Sequence, residues 1–173
     1  MTLLLDTNVV SELRKIRAGK GDANVAAWAR TVPAESLFLS VIVVQELEQG
    51  ALLVERRDPA QGAILRSWLN AHVLPFFFRR ILPVDMAVAV RCAAFNVPNP
   101  RPARDGLIAA TAEVHGLTVV TRNIADFAPT GVPLLNPWTL GMAMQGSNQN
   151  EDVGAKAVSD LKCNTELQVA DFT

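Results

Sequence analysis

Leu3-Leu4-Leu5-Asp6-Thr7-Asn8-Val9-Val10 is the stretch whose reading decides the fold. Its leucines form a short apolar run without polar alternation, the pattern of a strand buried on both faces, predicted over Thr2–Leu5. Asp6 ends that strand. Helical spacing takes over through Val9, Val10 and Leu13, and the Lys/Gly-rich loop Arg17–Gly21 closes the helix. A buried strand feeding straight into a helix suits a parallel sheet, whose neighbouring strands need a crossover between them.

The rest of the chain repeats the alternation. Asp22 or Asn24 opens a second helix, which Pro33 stops. Ser36–Ser40 reads as the second strand, with Ser40 placed to cap a long helix from Val41 to about Glu55. Asp58-Pro59 starts a further helix, through Ile64, Leu65, Trp68 and Leu69 to Val73. Arg80–Pro83 reads as a third strand and Val84–Phe95 as a helix; Asn96–Pro102, with three prolines, is a loop. An Ala-rich helix runs from Ala103 to about His115, with Gly116 at its C′ position. Leu117–Thr121 is a β-branched strand, Ile124–Phe127 a helical turn, and Val132–Leu135 a last short strand. The expected fold class is therefore α/β, a parallel sheet covered by helices on both faces.

Composition agrees and excludes other classes. At 173 residues and 50% apolar, the chain reads as one globular domain rather than a disordered one. No apolar run approaches the roughly 18 residues of a membrane span, and the N-terminus lacks the cationic start of a signal peptide. Two distant cysteines, Cys92 and Cys163, give neither a disulfide framework nor zinc spacing, which fits a reducing cytoplasm. Residues 1–140 carry 14 Lys and Arg against 12 Asp and Glu, whereas residues 141–173 carry 2 against 5. The first part is expected to be the folded body, and the second a polar, acidic, flexible tail. A mildly basic body suits a polyanionic partner.

Within that body four carboxylates stand where a parallel sheet gathers functional groups. Asp6 ends the first strand, Glu46 lies two turns into a helix, Asp105 opens another helix, and Asp126 follows the Leu117–Thr121 strand. Each has a plain structural reading. Asp6 could cap the next helix, Asp105 could favour a helix dipole, and Asp126 could cap a turn. Glu46 is harder to dismiss. Ile42, Val43, Gly50 and Leu53 place it on an apolar stripe, where a charge needs a partner. If the four converge, each pair at about 4 Å costs roughly 4 kcal/mol at an effective dielectric of ~20. Protons or a hard divalent cation relieve such a cluster, and Mg²⁺ or Mn²⁺ suits oxygen ligands. The matching chemistry is metal-assisted hydrolysis of a phosphodiester. Thr7, Asn8, Thr121 and Asn123 are suited to orient the carboxylates. Arg104, beside Asp105, and Arg122 are the candidate phosphate contacts.

Taken together, the motifs resemble the PIN-domain ribonucleases, in particular the VapC/FitB-like toxins of bacterial toxin–antitoxin pairs. The resemblance rests on Leu-Asp-Thr-Asn-Val-Val-Ser-Glu at 5–12, Ser-Val-Ile-Val-Val-Gln-Glu-Leu-Glu-Gln-Gly at 40–50, and Asp-Gly-Leu-Ile-Ala-Ala-Thr-Ala at 105–112. Thr-Val-Val-Thr-Arg-Asn-Ile-Ala-Asp-Phe at 118–127 and the closing Asn-Pro-Trp at 136–138 complete it. It implies a PIN-like three-layer fold around about five parallel strands, and a Mg²⁺-dependent endoribonuclease. It also implies a homodimer and a small antitoxin partner. By position Asp6, Glu46 and Asp105 match the family's three core acids. The fourth acid stands in the family where either Asn123 or Asp126 stands here, so Asp126 is the available carboxylate. Gly106 departs from the pattern, which has Ala more often after that Asp.

Other features carry less. His72 and His115 lack partners at metal spacing, and Arg79, Arg80 and Arg101 read by default as solvated. The run Val73-Leu74-Pro75-Phe76-Phe77-Phe78 is either core or part of an oligomer face. A catalytically silent PIN-like binding module is the alternative to the nuclease. A phosphoacceptor domain using Asp6 is disfavoured, because Asp6-Thr7-Asn8 provides no acidic pair.

Overall fold

A computed structural model describes residues 1–140. The expected acidic tail, 141–173, lies outside the described residues. Five short parallel strands form the sheet: β1 (Leu3–Leu5), β2 (Leu37–Ser40), β3 (Ile81–Leu82), β4 (Thr118–Val120) and β5 (Leu134–Leu135). Their spatial order is β3-β2-β1-β4-β5. The chain moves outward from β1 through β2 to β3, then returns to the other side of β1 for β4 and β5. The order therefore reverses between β1 and β4, and the crevice at their carboxyl ends is where such sheets place a functional site.

The triple leucine is central because it is buried on both faces. Leu3, Leu4 and Leu5 are almost wholly inaccessible and pair with Leu37 and Phe38 on one side and Thr118–Val120 on the other. Helices α1 (Thr7–Arg17), α2 (Ala23–Thr31), α3 (Val41–Glu55), α4 (Pro59–Trp68), α5 (Leu74–Phe76), α6 (Met86–Phe95), α7 (Ala103–Val114) and α8 (Ile124–Phe127) make the crossovers. Short polar side chains start five of them. Asp6, Asp22, Ser40, Asp58 and Asp85 each accept a hydrogen bond from a backbone N–H in the first turn.

The departures from the sequence reading have local causes. The strands are shorter than expected because each parallel ladder pairs only two or three residues before the chains diverge. Ser36 belongs to a 3₁₀ turn and Asp85 caps its helix, so α6 starts at Met86. The helix expected to run to Val73 ends as α4 at Trp68, continues as a wide π turn over Leu69–Val73, and closes as α5. Pro75 has no N–H and its ring crowds the carbonyl one turn back, which the wide turn accommodates. In the apolar run that follows, Val73 and Phe77 are fully buried and Leu74 and Phe76 partly so. The run is mostly core, and only Pro75 and Phe78 in it are exposed, so it offers little of an oligomer face.

Arg80 and Arg101 are likewise structural rather than solvated. The Arg80 guanidinium donates to the carbonyls of Ala34, Leu37 and Phe76 and stacks on Phe76 and Phe77. Arg101 donates to the carbonyls of Phe95 and Pro129. Among the described residues no helix is long and apolar enough to cross a membrane.

Candidate active site at the carboxyl ends of β1 and β4

Asp6 is the best-held of the four acids. Its N–H extends the β1–β4 ladder to the Val120 carbonyl at 3.0 Å, so the backbone position is set by the sheet. One carboxylate oxygen accepts from the Thr7 N–H at 2.7 Å, the capping contact. The other accepts from Asn8 Nδ2 at 2.6 Å and Thr121 Oγ1 at 2.7 Å. Capping and site roles therefore coexist in one side chain. Burial pushes the carboxyl above the usual range; the Thr121 and Thr7 bonds oppose that shift, and the charges of Glu46 and Asp105 add to it.

Glu46 has the partners its apolar stripe demanded. Thr7 Oγ1 donates to one of its oxygens, and Arg104 Nη1 lies 3.6 Å from the other. Arg104 is also tied to Gln49 Oε1 at 2.7 Å, so it bridges α7 to α3. Asp105, in the first turn of α7, is half-buried and takes no hydrogen bond among the described residues. Burial raises its carboxyl, Asp126 and then Glu46 raise it further, and Arg104 pulls it back. Asp126 is exposed on the first turn of α8.

Thr7 bonds both Asp6 and Glu46, and Arg104 reaches from the start of α7 to Glu46. Asp6, Glu46 and Asp105 therefore share one acidic crevice, and the charge of Asp126 reaches Asp105. The crevice is not a finished coordination shell. Among the described residues no three acidic, histidine or cysteine side chains are placed to grip one ion together. The donor set is nonetheless all oxygen, and Arg104 offsets only part of its repulsion. Mg²⁺ fits that, since it keeps several waters and takes one or two carboxylates from the protein.

The supporting residues divide. Asn8 and Thr121 form one network with Asp6, joined to each other at 3.1 Å. Asn123 enters it through its backbone: its N–H donates to Thr121 Oγ1 at 2.9 Å, while its exposed side chain makes no capping bond. Arg122 is exposed at the rim. The sequence reading passed over Gln49, the partner of Arg104, and Asn24, whose side chain donates to the Trp138 carbonyl at 2.9 Å. No periodic or charge signal marks Gln49, and Asn24 reads only as a possible helix opener, with nothing to indicate its distant partner. Gly106 also acquires a reason: a Cβ there would lie 3.2 Å from Cys92 Sγ, where α6 packs on α7.

Comparison with known proteins gives a consistent result. Residues 3–129 match the profile of the PIN domain. The chain is 39% identical over 141 residues to the toxin FitB of Neisseria gonorrhoeae, covering 79% of this chain and 98% of that protein. It is 36% identical to the VapC ribonuclease Y4jK of Sinorhizobium fredii, covering 79% and 97%. Among solved structures, FitAcB from Neisseria gonorrhoeae superposes with a TM-score of 0.72 at 38% identity, covering 80% of this chain and 100% of that one. FitAB bound to an IR36 DNA fragment superposes with a TM-score of 0.71 at 35% identity, covering 80% and 97%. The five-stranded parallel sheet and the acidic crevice at its point of reversal thus have a family: this chain belongs to the PIN domains, alongside the FitB and VapC proteins.

Proposed function

We propose that the chain is a metal-dependent endoribonuclease acting as the toxin of a toxin–antitoxin pair. The observation that carries this is the acidic crevice itself: four carboxylates, two raised by burial and mutual charge, at the switch point of a PIN-family sheet. Asp6, Glu46, Asp105 and Asp126 are the residues that would hold Mg²⁺ or Mn²⁺. When bound, such an ion neutralises the non-bridging phosphate oxygens, lowers the pKa of water and stabilises the leaving oxyanion.

The chain's own residues supply orientation. Thr7, Asn8 and Thr121 direct four hydrogen bonds at Asp6 and Glu46, which fixes both carboxylates, and the Thr121 and Thr7 bonds oppose the upward shift of Asp6. Asp105 has unoccupied carboxylate oxygens and a raised affinity for protons, so it is the group placed to take a proton from an attacking water. Arg104 and Arg122 flank the crevice with positive charge for an incoming RNA strand. A small antitoxin partner follows from the likeness to FitAB and FitAcB, and a homodimer from the family resemblance.

One observation favours a silent RNA- or protein-binding module instead: Glu46 is engaged by Thr7 and Arg104, and the acids are not gathered around one point. Cleavage of a mixed single-stranded and structured RNA pool decides between the two. With Mg²⁺ or Mn²⁺ the wild type cuts, while EDTA, Asp6→Ala or Asp105→Asn abolishes cutting. No cutting by a folded wild-type protein under either metal sinks the nuclease.

A further inference from the structure

The Arg122 guanidinium lies over the indole of Trp138, 5.6 Å from the ring centroid. Arg122 directly follows Thr121, and its own N–H donates to Asn8 Oδ1 at 3.3 Å. Its backbone is thus anchored by two residues that both bond Asp6, at the rim of the acid crevice. Trp138 is held in turn. Its N–H donates to Asn136 Oδ1 at 3.0 Å and its carbonyl accepts from Asn24 Nδ2 at 2.9 Å.

How a guanidinium is held determines what it can still bind. A carboxylate partner occupies its N–H donors and cancels its charge. An aromatic face orients the plane through the ring quadrupole and leaves the five donors open. Among the described residues the Arg122 side chain has no ion pair and no hydrogen bond. Arg79 also lies over a ring, that of Phe78, but just before the amino end of β3, the opposite end of the parallel sheet from the crevice. The other arginines near an aromatic ring or the crevice are otherwise engaged or distant. Arg104 faces Glu46 and Gln49, Arg91 stacks on Phe95 but grips Glu113, and Arg80 is committed to three carbonyls. Arg14 lies over Trp68 but toward the far end of α1, roughly 12 Å along the helix from Asp6.

We infer that Arg122, shelved on Trp138, anchors a phosphate of the RNA strand neighbouring the scissile one, and that Trp138 is the positioning residue that presents it. The inference rests on the nuclease reading and adds the contact that seats the strand. A pre-oriented planar guanidinium takes two phosphate oxygens side by side, which an ammonium cannot. Such a contact carries no sequence information. It is made equally before and during reaction, so it acts on KM and leaves kcat nearly untouched.

The test uses the full chain and a fluorescein-labelled, mixed-sequence single-stranded RNA, with binding read by anisotropy in EDTA and cleavage read with Mg²⁺. Arg122→Ala weakens binding about tenfold and lowers the salt dependence by about one counterion. Trp138→Leu weakens it about three- to fivefold, and Trp138→Phe restores most of that. The double variant Arg122→Ala/Trp138→Leu binds no more weakly than Arg122→Ala alone, because the two act as one unit. Arg122→Lys, which leaves every Trp138 backbone contact intact, also weakens binding.

Additive losses in the double variant overturn the inference, as does wild-type affinity in Trp138→Leu or Arg122→Lys. Cleavage that survives Trp138→Leu with unchanged KM removes the shelf and leaves the nuclease. Coupled binding losses without cleavage under any metal keep the shelf and remove the nuclease.

Discussion

Thr121→Val isolates the hydrogen bond that holds Asp6 in place. Thr121 is fully buried, and its hydroxyl donates to Asp6 Oδ2 at 2.7 Å while accepting from Asn8 Nδ2 and the Asn123 N–H. Valine has nearly the same shape, so packing is kept and the polar contacts are lost. A hydrogen bond to a charged group contributes about 1.5–3 kcal/mol. Asn8 keeps its bond to Asp6, and the Asn123 N–H lies on an exposed residue that water can reach. The expected loss is therefore about 2–3 kcal/mol at pH 8 in EDTA.

The loss depends on pH in a defined sense. Thr121 favours the ionised form of Asp6, so its removal drives an already raised carboxyl higher still. A group whose folded value lies above its unfolded value loses stability as pH rises between the two. The variant's window extends further upward, so its deficit is largest at pH 8 and shrinks toward pH 5. Urea denaturation at both pH values measures it, with Thr121→Ser as the variant that keeps the hydroxyl. Mn²⁺ affinity should fall about 10–100-fold as well. Equal stability at pH 8, or a deficit that grows toward pH 5, refutes the reasoning.

Four further outcomes are expected. Without metal, wild-type melting temperature falls as pH rises from the ordinary carboxylate range through the raised values of Asp6 and Asp105; Mg²⁺ at a hundred times its dissociation constant restores about 2.7 kcal/mol. Asp105→Asn, which removes charge from a carboxylate with no donors, raises metal-free stability and lowers cleavage more than the roughly 100-fold typical of a supporting residue; a destabilised Asn variant counts against the crowding of charge. Gly106→Ala is close to neutral alone because the new methyl meets Cys92 Sγ, and gains about 1 kcal/mol in a Cys92→Ala background, by thermal melts of all four proteins. Arg80→Lys costs about 2–3 kcal/mol in urea titration, since an ammonium cannot serve three carbonyls in the plane of a guanidinium; wild-type stability in that variant contradicts the staple.

Much of the site was legible because local chemistry and tertiary role coincide in the same side chains. Asp6 announces itself as the residue that stops a buried strand and caps a helix, and it does both. Glu46 announces a missing partner by standing among Ile42, Val43 and Leu53. The need was readable; the identity of the partners, Thr7 and Arg104, was not, because they lie 39 and 58 residues away along the chain. Glu12 is the opposite case. It reads as an ordinary helix residue but is buried, where it pins the Asp22 N–H and Lys15, and these bonds outweigh burial to hold its carboxyl below the usual range.

By itself the sequence determined the alternation of strands and helices, the helix starts at Asp6, Ser40 and Asp58 (with Asp22 or Asn24 open for the second helix), and the candidate acids. All of these depend on spacing and side-chain chemistry within a few residues. Tertiary structure alone decided the strand order that sets Thr121 beside Asp6, 115 positions apart. It decided that Arg80 is a staple while Arg122 stands open on Trp138. An arginine carries the same charge and donors wherever it occurs, and what it does depends on which distant carbonyls, carboxylates or rings the fold brings within reach.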